Sequence, residues 1–302
     1  MRIPDSTSAL EVQESVKTYI THNKGADWDL LEAPKHTSRG SPIDCDSEEG
    51  CSLHIEIYSH GGELAPVYST ESALGIILAT GNLGTRLSKN DEPKNLYISR
   101  DGGLNWSSTR PGTFIYEIGD HGALIVIAKK NVPTTQIEFT WDEGLTWSTL
   151  QISTFPIIVE NIIIEPESIS QQFLLYGVTA PVEGDEEQER NISGNKAILT
   201  YLDFSSLHVR ECEGYFAAQY QYGESDYEQW SPHDGRHGTQ NNCFLGQHVT
   251  YVRRKQDAEC HNGEEFERPI ERKNCECTDM DFECDFGYVR VSGGTCVLSE
   301  GA

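Results

Sequence analysis

A short turn motif occurs three times in the first half of the chain, and it constrains the fold more than any other feature. Each copy follows the pattern Ser/Thr-x-Asp/Asn-x-Gly-x-x-Trp. The pattern residues are Thr21, Asn23, Gly25 and Trp28 in the first copy, Ser99, Asp101, Gly103 and Trp106 in the second, and Thr140, Asp142, Gly144 and Trp147 in the third. The carboxylate and hydroxyl can accept hydrogen bonds from turn N–H groups. Glycine tolerates positive φ, and the tryptophan can fold back over the turn. Each copy is therefore an Asp box, a structural hairpin turn, and the Asn23 copy should be slightly weaker because asparagine carries no charge.

The spacing of these boxes indicates a β-propeller. Asp101 and Asp142 are 41 residues apart, about one four-stranded blade, and Asn23 lies 78 residues before Asp101, nearly two such periods. Apolar, β-prone runs precede the turns, for example 75–79, 95–99, 123–127 and 136–140. We predict an all-β fold in which a buried inner strand, a second strand, the turn and the Trp strand follow one another.

Charge and cysteine content limit the class of protein. The formal net charge is −25 over 302 residues, which argues against binding nucleic acid or anionic membrane and allows basic ligands to be attracted. No apolar run reaches the roughly 18 residues of a membrane span, and the N-terminus has no apolar signal core. Nine cysteines, seven of them from Cys212 onward, nevertheless indicate an oxidising compartment. Sequons at Asn105 and Asn191 are consistent with glycosylation there.

The chain divides into two zones of different composition. We predict propeller blades over 1–205 and a cysteine-rich module over 206–302. The odd number of cysteines and the missing signal sequence together predict a chain that is incomplete at both ends.

Several segments resemble the sortilin family. Cys45–Ile55 resembles the short disulfide loop and following strand of its propellers, and 79–84 and 119–125 resemble its inner strands. Cys275–Tyr288 is similar to the signature of the family's ten-cysteine module, and Asn262–Pro269 is closest to the sortilin-related receptor branch. The resemblance covers about 18–297.

The resemblance implies a ten-bladed propeller with a wide tunnel, braced by the cysteine module, of which this chain supplies the last three or four blades. It implies the disulfides Cys45–Cys51, Cys212–Cys260, Cys243–Cys275 and Cys284–Cys296, with the partner of Cys277 beyond Ala302. An insertion between Cys212 and Tyr227 makes the local structure there hard to predict.

The resemblance also implies ligand binding rather than catalysis, and no cofactor is expected. Such receptors bind peptides, propeptides and proteins in the lumen and carry them between Golgi, endosomes, lysosome or vacuole, and cell surface. The full-length protein would be membrane-anchored with this part on the lumenal or extracellular side. The resemblance implies pH-sensitive release in acidic endosomes, to which the ten histidines are able to contribute. The sequence assigns neither a histidine to release nor any residue to ligand contact. We also expect the isolated chain to be poorly soluble or to associate, because an open arc of blades exposes sheet faces.

Other chemistries have less support in the sequence than ligand binding. A sialidase-like hydrolase would also carry Asp boxes, but it needs an arginine cluster with a Tyr/Glu pair, and the blade region has few arginines. A zinc site is conceivable at Cys260, His261, Cys275, Cys277 and Cys284, although Cys-x-Cys is an unusual spacing. Alternating Asp279, Asp281, Glu283 and Asp285 lack the glycine of a calcium loop and are interpreted as a solvated acidic edge. His121 is interpreted as a turn residue, and Arg253-Arg254-Lys255 as a solvated turn.

Overall fold

The computed structural model describes residues 16–299 except the segments 23–24, 26–27, 38–39, 57–66, 89–92, 181–195, 221–222, 233–242, 244, 264–270, 278–280 and 292–294. Strands dominate this part of the chain. The described helices are one short α-helix, α1 (Tyr215–Tyr220), and a single 3-10 turn at Asp120–Gly122.

Three antiparallel sheets follow one another along the first two thirds of the chain, after a small hairpin. The hairpin consists of β1 (Tyr19–Ile20) and β2 (Asp29–Leu30). The first sheet contains β3 (Ser52–Ile55), β4 (Val67–Tyr68), β5 (Ile77–Gly84), β6 (Asn95–Ser99) and β7 (Ser107–Pro111), with β3 and β4 both pairing with β5. The second contains β8 (Phe114–Gly119), β9 (Leu124–Lys129), β10 (Gln136–Thr140) and β11 (Ser148–Gln151). The third contains β12 (Ile157–Ile163), β13 (Gln172–Thr179) and β14 (Ala197–Asp203).

Each sheet begins with a strand that lies outside the predicted repeat of inner strand, second strand, turn and Trp strand. The predicted inner strands 75–79 and 123–127 correspond to β5 and β9, which are second in their sheets behind β3–β4 and β8. Strand β8 is missed in the sequence because half-buried Tyr116 and Glu117 at its centre interrupt the apolar run that marks a buried strand. The Asp boxes then connect the third strand to the fourth, β6 to β7 and β10 to β11.

The sheets stack face to face through two apolar cores. Strand β9 contributes to both cores, because successive side chains of a strand point to opposite faces of the sheet. Ile125 and Ile127 pack toward the first sheet, whereas Leu124 and Val126 pack toward the third. All four side chains are fully buried. Propeller blades are stacked antiparallel meander sheets, typically of four strands. The three stacked sheets here, with five, four and three described strands, follow this arrangement, so the fold is all-β, a partial β-propeller.

A smaller module follows the third sheet. It contains β15 (Tyr227–Trp230), β16 (Gln247–Arg254) and β17 (Glu271–Asn274), and a hairpin of β18 (Tyr288–Arg290) and β19 (Cys296–Leu298). Its core forms around the Cys212–Cys260 disulfide, Tyr227 and Val252. The predicted insertion holds α1, whose Tyr215 ring packs edge-on against Tyr227 at 5.5 Å.

The outer face of the third sheet is apolar and exposed. Ile163 pairs with Leu174, Leu174 with Tyr201, and Tyr176 with Leu199, which places all five side chains on one face. Their exposed fractions run from 37% for Tyr176 to 66% for Leu199. A contiguous apolar face of this kind favours association.

We expect the protein to self-associate at micromolar concentration, and Leu199→Lys to shift it toward monomer by placing a charge in this face. Gln151→Lys, at an exposed position of β11, is the matched control because it adds the same charge elsewhere. Size-exclusion chromatography with light scattering measures the distribution. A monomeric wild type, or an equal effect of both variants, would contradict the expectation.

Candidate functional site: the Asp-box face and the docked module

The described parts of the three Asp boxes share one hydrogen-bond pattern. The glycine N–H donates to the Ser or Thr hydroxyl oxygen at 2.9 Å in the first and second boxes and 3.0 Å in the third. The tryptophan Nε1–H donates to the glycine carbonyl at 3.0–3.1 Å. The three glycines have φ between 89° and 97°, where a side chain would be strained.

The carboxylate organises the second and third boxes. Asp142 accepts the Thr146 N–H at 2.8 Å, and the Thr140 hydroxyl donates to Asp142 Oδ1 at 2.7 Å. Asp101 makes the same contacts with Asn105 and Ser99. Asn23 lies outside the described residues. Trp106 is buried, whereas Trp28 folds back over its turn but remains 58% exposed.

The isoleucine directly before each of the first two boxes packs onto the glycine of the next box. A Cβ atom on Gly103 would lie 2.6 Å from Ile20 Cδ1, and one on Gly144 would lie 2.5 Å from Ile98 Cδ1. Ile20 directly precedes the first box and Ile98 directly precedes the second. Glycine is thus required at these positions by the turn, and it also leaves room for the isoleucine Cδ1 methyl group of the adjacent sheet, which the sequence pattern alone does not reveal.

The cysteine-rich module docks on this row of turns. The Arg253 guanidinium donates to the Arg100 carbonyl, and the Arg254 guanidinium donates to the Trp141 carbonyl. Arg100 and Trp141 occupy the same place in their boxes, between the hydroxyl residue and the aspartate. Two adjacent arginines of β16 therefore bind equivalent carbonyls of two consecutive blades.

The sequence interpretation of these two arginines is wrong. The segment 253–255 was interpreted as a solvated turn, but Arg253 and Arg254 are only 9% and 4% exposed and end a paired strand. Burial lowers the pKa of both guanidiniums. The alternation of β16 could have indicated a strand, whereas burial of the arginines depends on a partner surface distant in sequence.

Charge pairs link two boxes to the module. Arg100 of the second box forms an ion pair with Glu143 of the third. Glu228 of β15 lies 2.9 Å from Arg253 and 3.7 Å from Arg100. The Arg253 guanidinium also stacks 4.8 Å from the ring centre of Trp230. Alternating charges in a partly buried network hold the two blades and the module in one arrangement.

A second contact ties the module to the turn after β8. The Asn262 backbone N–H donates to Asp120 Oδ1, and its side-chain amide donates to the Asp120 carbonyl, both at 2.9 Å. Asp120 and His121 are buried and have positive φ. His121 therefore lies in a turn, as interpreted from the sequence, and that turn lies beneath the module.

The structure contains four disulfides. They are Cys45–Cys51, Cys212–Cys260, Cys243–Cys275 and Cys284–Cys296, the pairs that the resemblance implied. Cys277 is a free, exposed thiol. Cys260, Cys275 and Cys284 are each bonded in a different disulfide, so they are not available as thiolate ligands of the zinc site considered above. Each disulfide contributes typically about 2–4 kcal/mol to a small module.

The remaining candidate residues have separate local roles. Asn105 is exposed and donates through its amide to Asp101 Oδ2 at 2.7 Å, whereas Asn191 lies outside the described residues. Asp281 accepts the Leu245 N–H at 2.6 Å, and Asp279 is not among the described residues. Within the described blades, Arg100 pairs with Glu143 and Arg110 pairs with Glu138. These ion pairs engage both arginines with acidic side chains of the next sheet.

Comparison with known proteins identifies the family of this chain. A family model described as sortilin, neurotensin receptor 3 matches residues 4–162, and its C-terminal counterpart matches 164–302. The chain belongs to the sortilin family. Vacuolar protein sorting/targeting protein 10 from Trichophyton verrucosum is 34% identical over 99% of this chain, and that from Coccidioides posadasii is 35% identical over 95%. The sortilin-related receptor of Mus musculus is 34% identical over 91%.

The match covers a small part of each relative. The chain spans 19% of the two fungal proteins and 12% of the mouse receptor. Among solved structures, a Penicillium chrysogenum α-L-arabinanase matches with a TM-score of 0.27 at 13% identity, covering 81% of this chain and 73% of that one; this likeness is too weak to inform fold or function. No helix in the described part of the chain has the length and apolarity needed to cross a membrane.

We expect Asp142→Ala to lower the free energy of unfolding by about 1–2 kcal/mol, because the Thr146 N–H loses its acceptor. Asp142→Asn should lower the free energy of unfolding less, since the asparagine carbonyl oxygen can still accept the Thr146 N–H. Urea unfolding followed by tryptophan fluorescence measures both. An equal decrease in the free energy of unfolding for the two variants would show that the charge of Asp142, not its hydrogen-bond acceptor, stabilises the turn.

Arg254→Met should cost about 1–3 kcal/mol and loosen the module, because the buried Trp141 carbonyl loses its donor. Arg272→Met, at an exposed position of β17, is the control. Limited proteolysis of the oxidised protein, with cleavage sites mapped by mass spectrometry, should detect faster cleavage within 206–299 for Arg254→Met alone. Identical cleavage rates in both variants would rule out a docking role for Arg254.

Proposed function

We propose that this chain is part of the ligand-binding lumenal region of a sortilin-type sorting receptor. The observation that carries the proposal is the family match over both the blades and the module, in a structure that holds the two parts together through named contacts. Its ligands are peptides, propeptides or proteins, and its role is to direct their transport between Golgi, endosomes, lysosome or vacuole, and cell surface. The complete protein is anchored in the membrane.

We also propose that the blades extend to about residue 205 and the module occupies 206–302. Strand β14 ends at Asp203, and Phe204 packs in the core between the second and third sheets. The two family models instead meet at 162–164. The packing of the third sheet on the second supports the later boundary.

The charge of the chain favours basic ligands. A net charge of −25 attracts cationic peptides from a distance, although attraction alone gives no specificity. The enzymatic alternative, a sialidase-like hydrolase, has less support, since the compared relatives are named as sorting proteins and a receptor.

Binding of a peptide library to the immobilised, oxidised protein tests the proposal. We expect saturable binding of selected basic peptides at neutral pH in moderate salt, above the binding of scrambled peptides with the same charge. Reduced and alkylated protein is the control for folding. Equal binding of selected and scrambled peptides, or turnover of a fluorogenic sialoside, would overturn the assignment.

A further inference from the structure

A histidine without solvent exposure lies where the first hairpin meets the first sheet. His54 on β3 is 0% exposed. Its Nδ1 accepts the Thr18 backbone N–H at 3.3 Å, and its Nε2 lies 3.0 Å from the Gly84 carbonyl oxygen. Ser52 Oγ lies 3.2 Å from the same Nε2.

These partners define the protonation state. A backbone N–H can only donate, so Nδ1 must carry a lone pair. A carbonyl can only accept, so Nε2 carries the proton. The ring is therefore neutral in this arrangement. A proton added at Nδ1 would face the Thr18 N–H, donor against donor, in a site that water does not reach.

The surroundings do not favour a positive charge. Burial is the main cause that lowers the pKa of His54, the hydrogen bond to Gly84 opposes it, and the nearby Lys17 lowers the pKa further. Lys17 belongs to the hairpin segment, whereas Ser52 on β3 and Asn82, the β5 residue paired with His54, are uncharged. The charged group that acts on the ring is thus a cation.

The contact that His54 makes holds the hairpin segment 16–31 in place. The Ile55 N–H donates to Thr18 Oγ1 at 3.0 Å, and the Leu31 N–H donates to the Thr18 carbonyl at 3.3 Å. Leu31 joins the core formed by Leu53 and Tyr97. Loss of the Thr18 contact would open this core from its edge.

We propose that His54 is an acid-sensitive latch, whose protonation at Nδ1 detaches segment 16–31 from the first sheet. The direction follows from linkage: a buried base with a lowered pKa stabilises the contact fully above the unfolded value of 6.5, and this stabilisation declines as pH falls below it. The opening equilibrium rises about tenfold for each pH unit between 6.5 and the folded pKa.

Hydrogen–deuterium exchange of the oxidised protein at pH 7.5, 6.5 and 5.5, corrected for intrinsic exchange, tests the latch. Peptides covering 16–31 and 52–55 should lose protection toward pH 5.5, while peptides from β9 should not. The same loss should occur in His36→Gln, which removes an exposed histidine, and it should be absent in His54→Gln, which cannot titrate.

Two results would overturn the inference. One is unchanged protection of segment 16–31 in the wild type between pH 7.5 and 5.5, and the other is an equal pH response in His54→Gln. If that variant does not fold, ¹⁵N NMR of histidine-labelled wild type decides: at pH 7.5, the His54 signal must be that of the Nε2–H tautomer. A proton on Nδ1 at that pH would exclude the mechanism.

Discussion

A glycine in the second and third Asp boxes closes its turn and also leaves room for an isoleucine of the neighbouring sheet. Ile20 lies over Gly103 and Ile98 lies over Gly144, each so close that even a methyl group on the glycine would collide. The same glycines adopt positive φ to close their turns. One residue type therefore serves both the turn within a blade and the close contact between blades. The large cores around Ile125 and Leu124 fill the space between the stacked sheets.

The row of turns that results is also the surface on which the module docks. The second and third boxes present the carbonyl before their aspartate to Arg253 and Arg254, respectively. A guanidinium keeps its charge when buried, and several N–H donors let one side chain bind carbonyls from two segments. Arg254, for example, binds both Trp141 and Ala258. The boxes are thus scaffold and docking site together, and the module fixes two neighbouring blades relative to each other.

Much of this architecture could be predicted from the sequence, and the limits have physical causes. The box pattern and its 41-residue spacing predict blades because every pattern residue acts within its own turn. Contacts between distant segments left no such trace: the burial of Arg253 and the pairing of Arg100 with Glu143 depend on tertiary neighbours. His54 illustrates the same limit, since its tautomer is set by Thr18, a residue 36 positions away.

Blades and module should unfold as one cooperative unit, because the Asp-box face joins them. Differential scanning calorimetry of the oxidised protein tests it most directly, at a concentration low enough to keep the protein monomeric. We predict a single transition, with equal calorimetric and van't Hoff enthalpies. Two separate transitions, one of them removed by deleting 206–302 without effect on the other, would contradict the account.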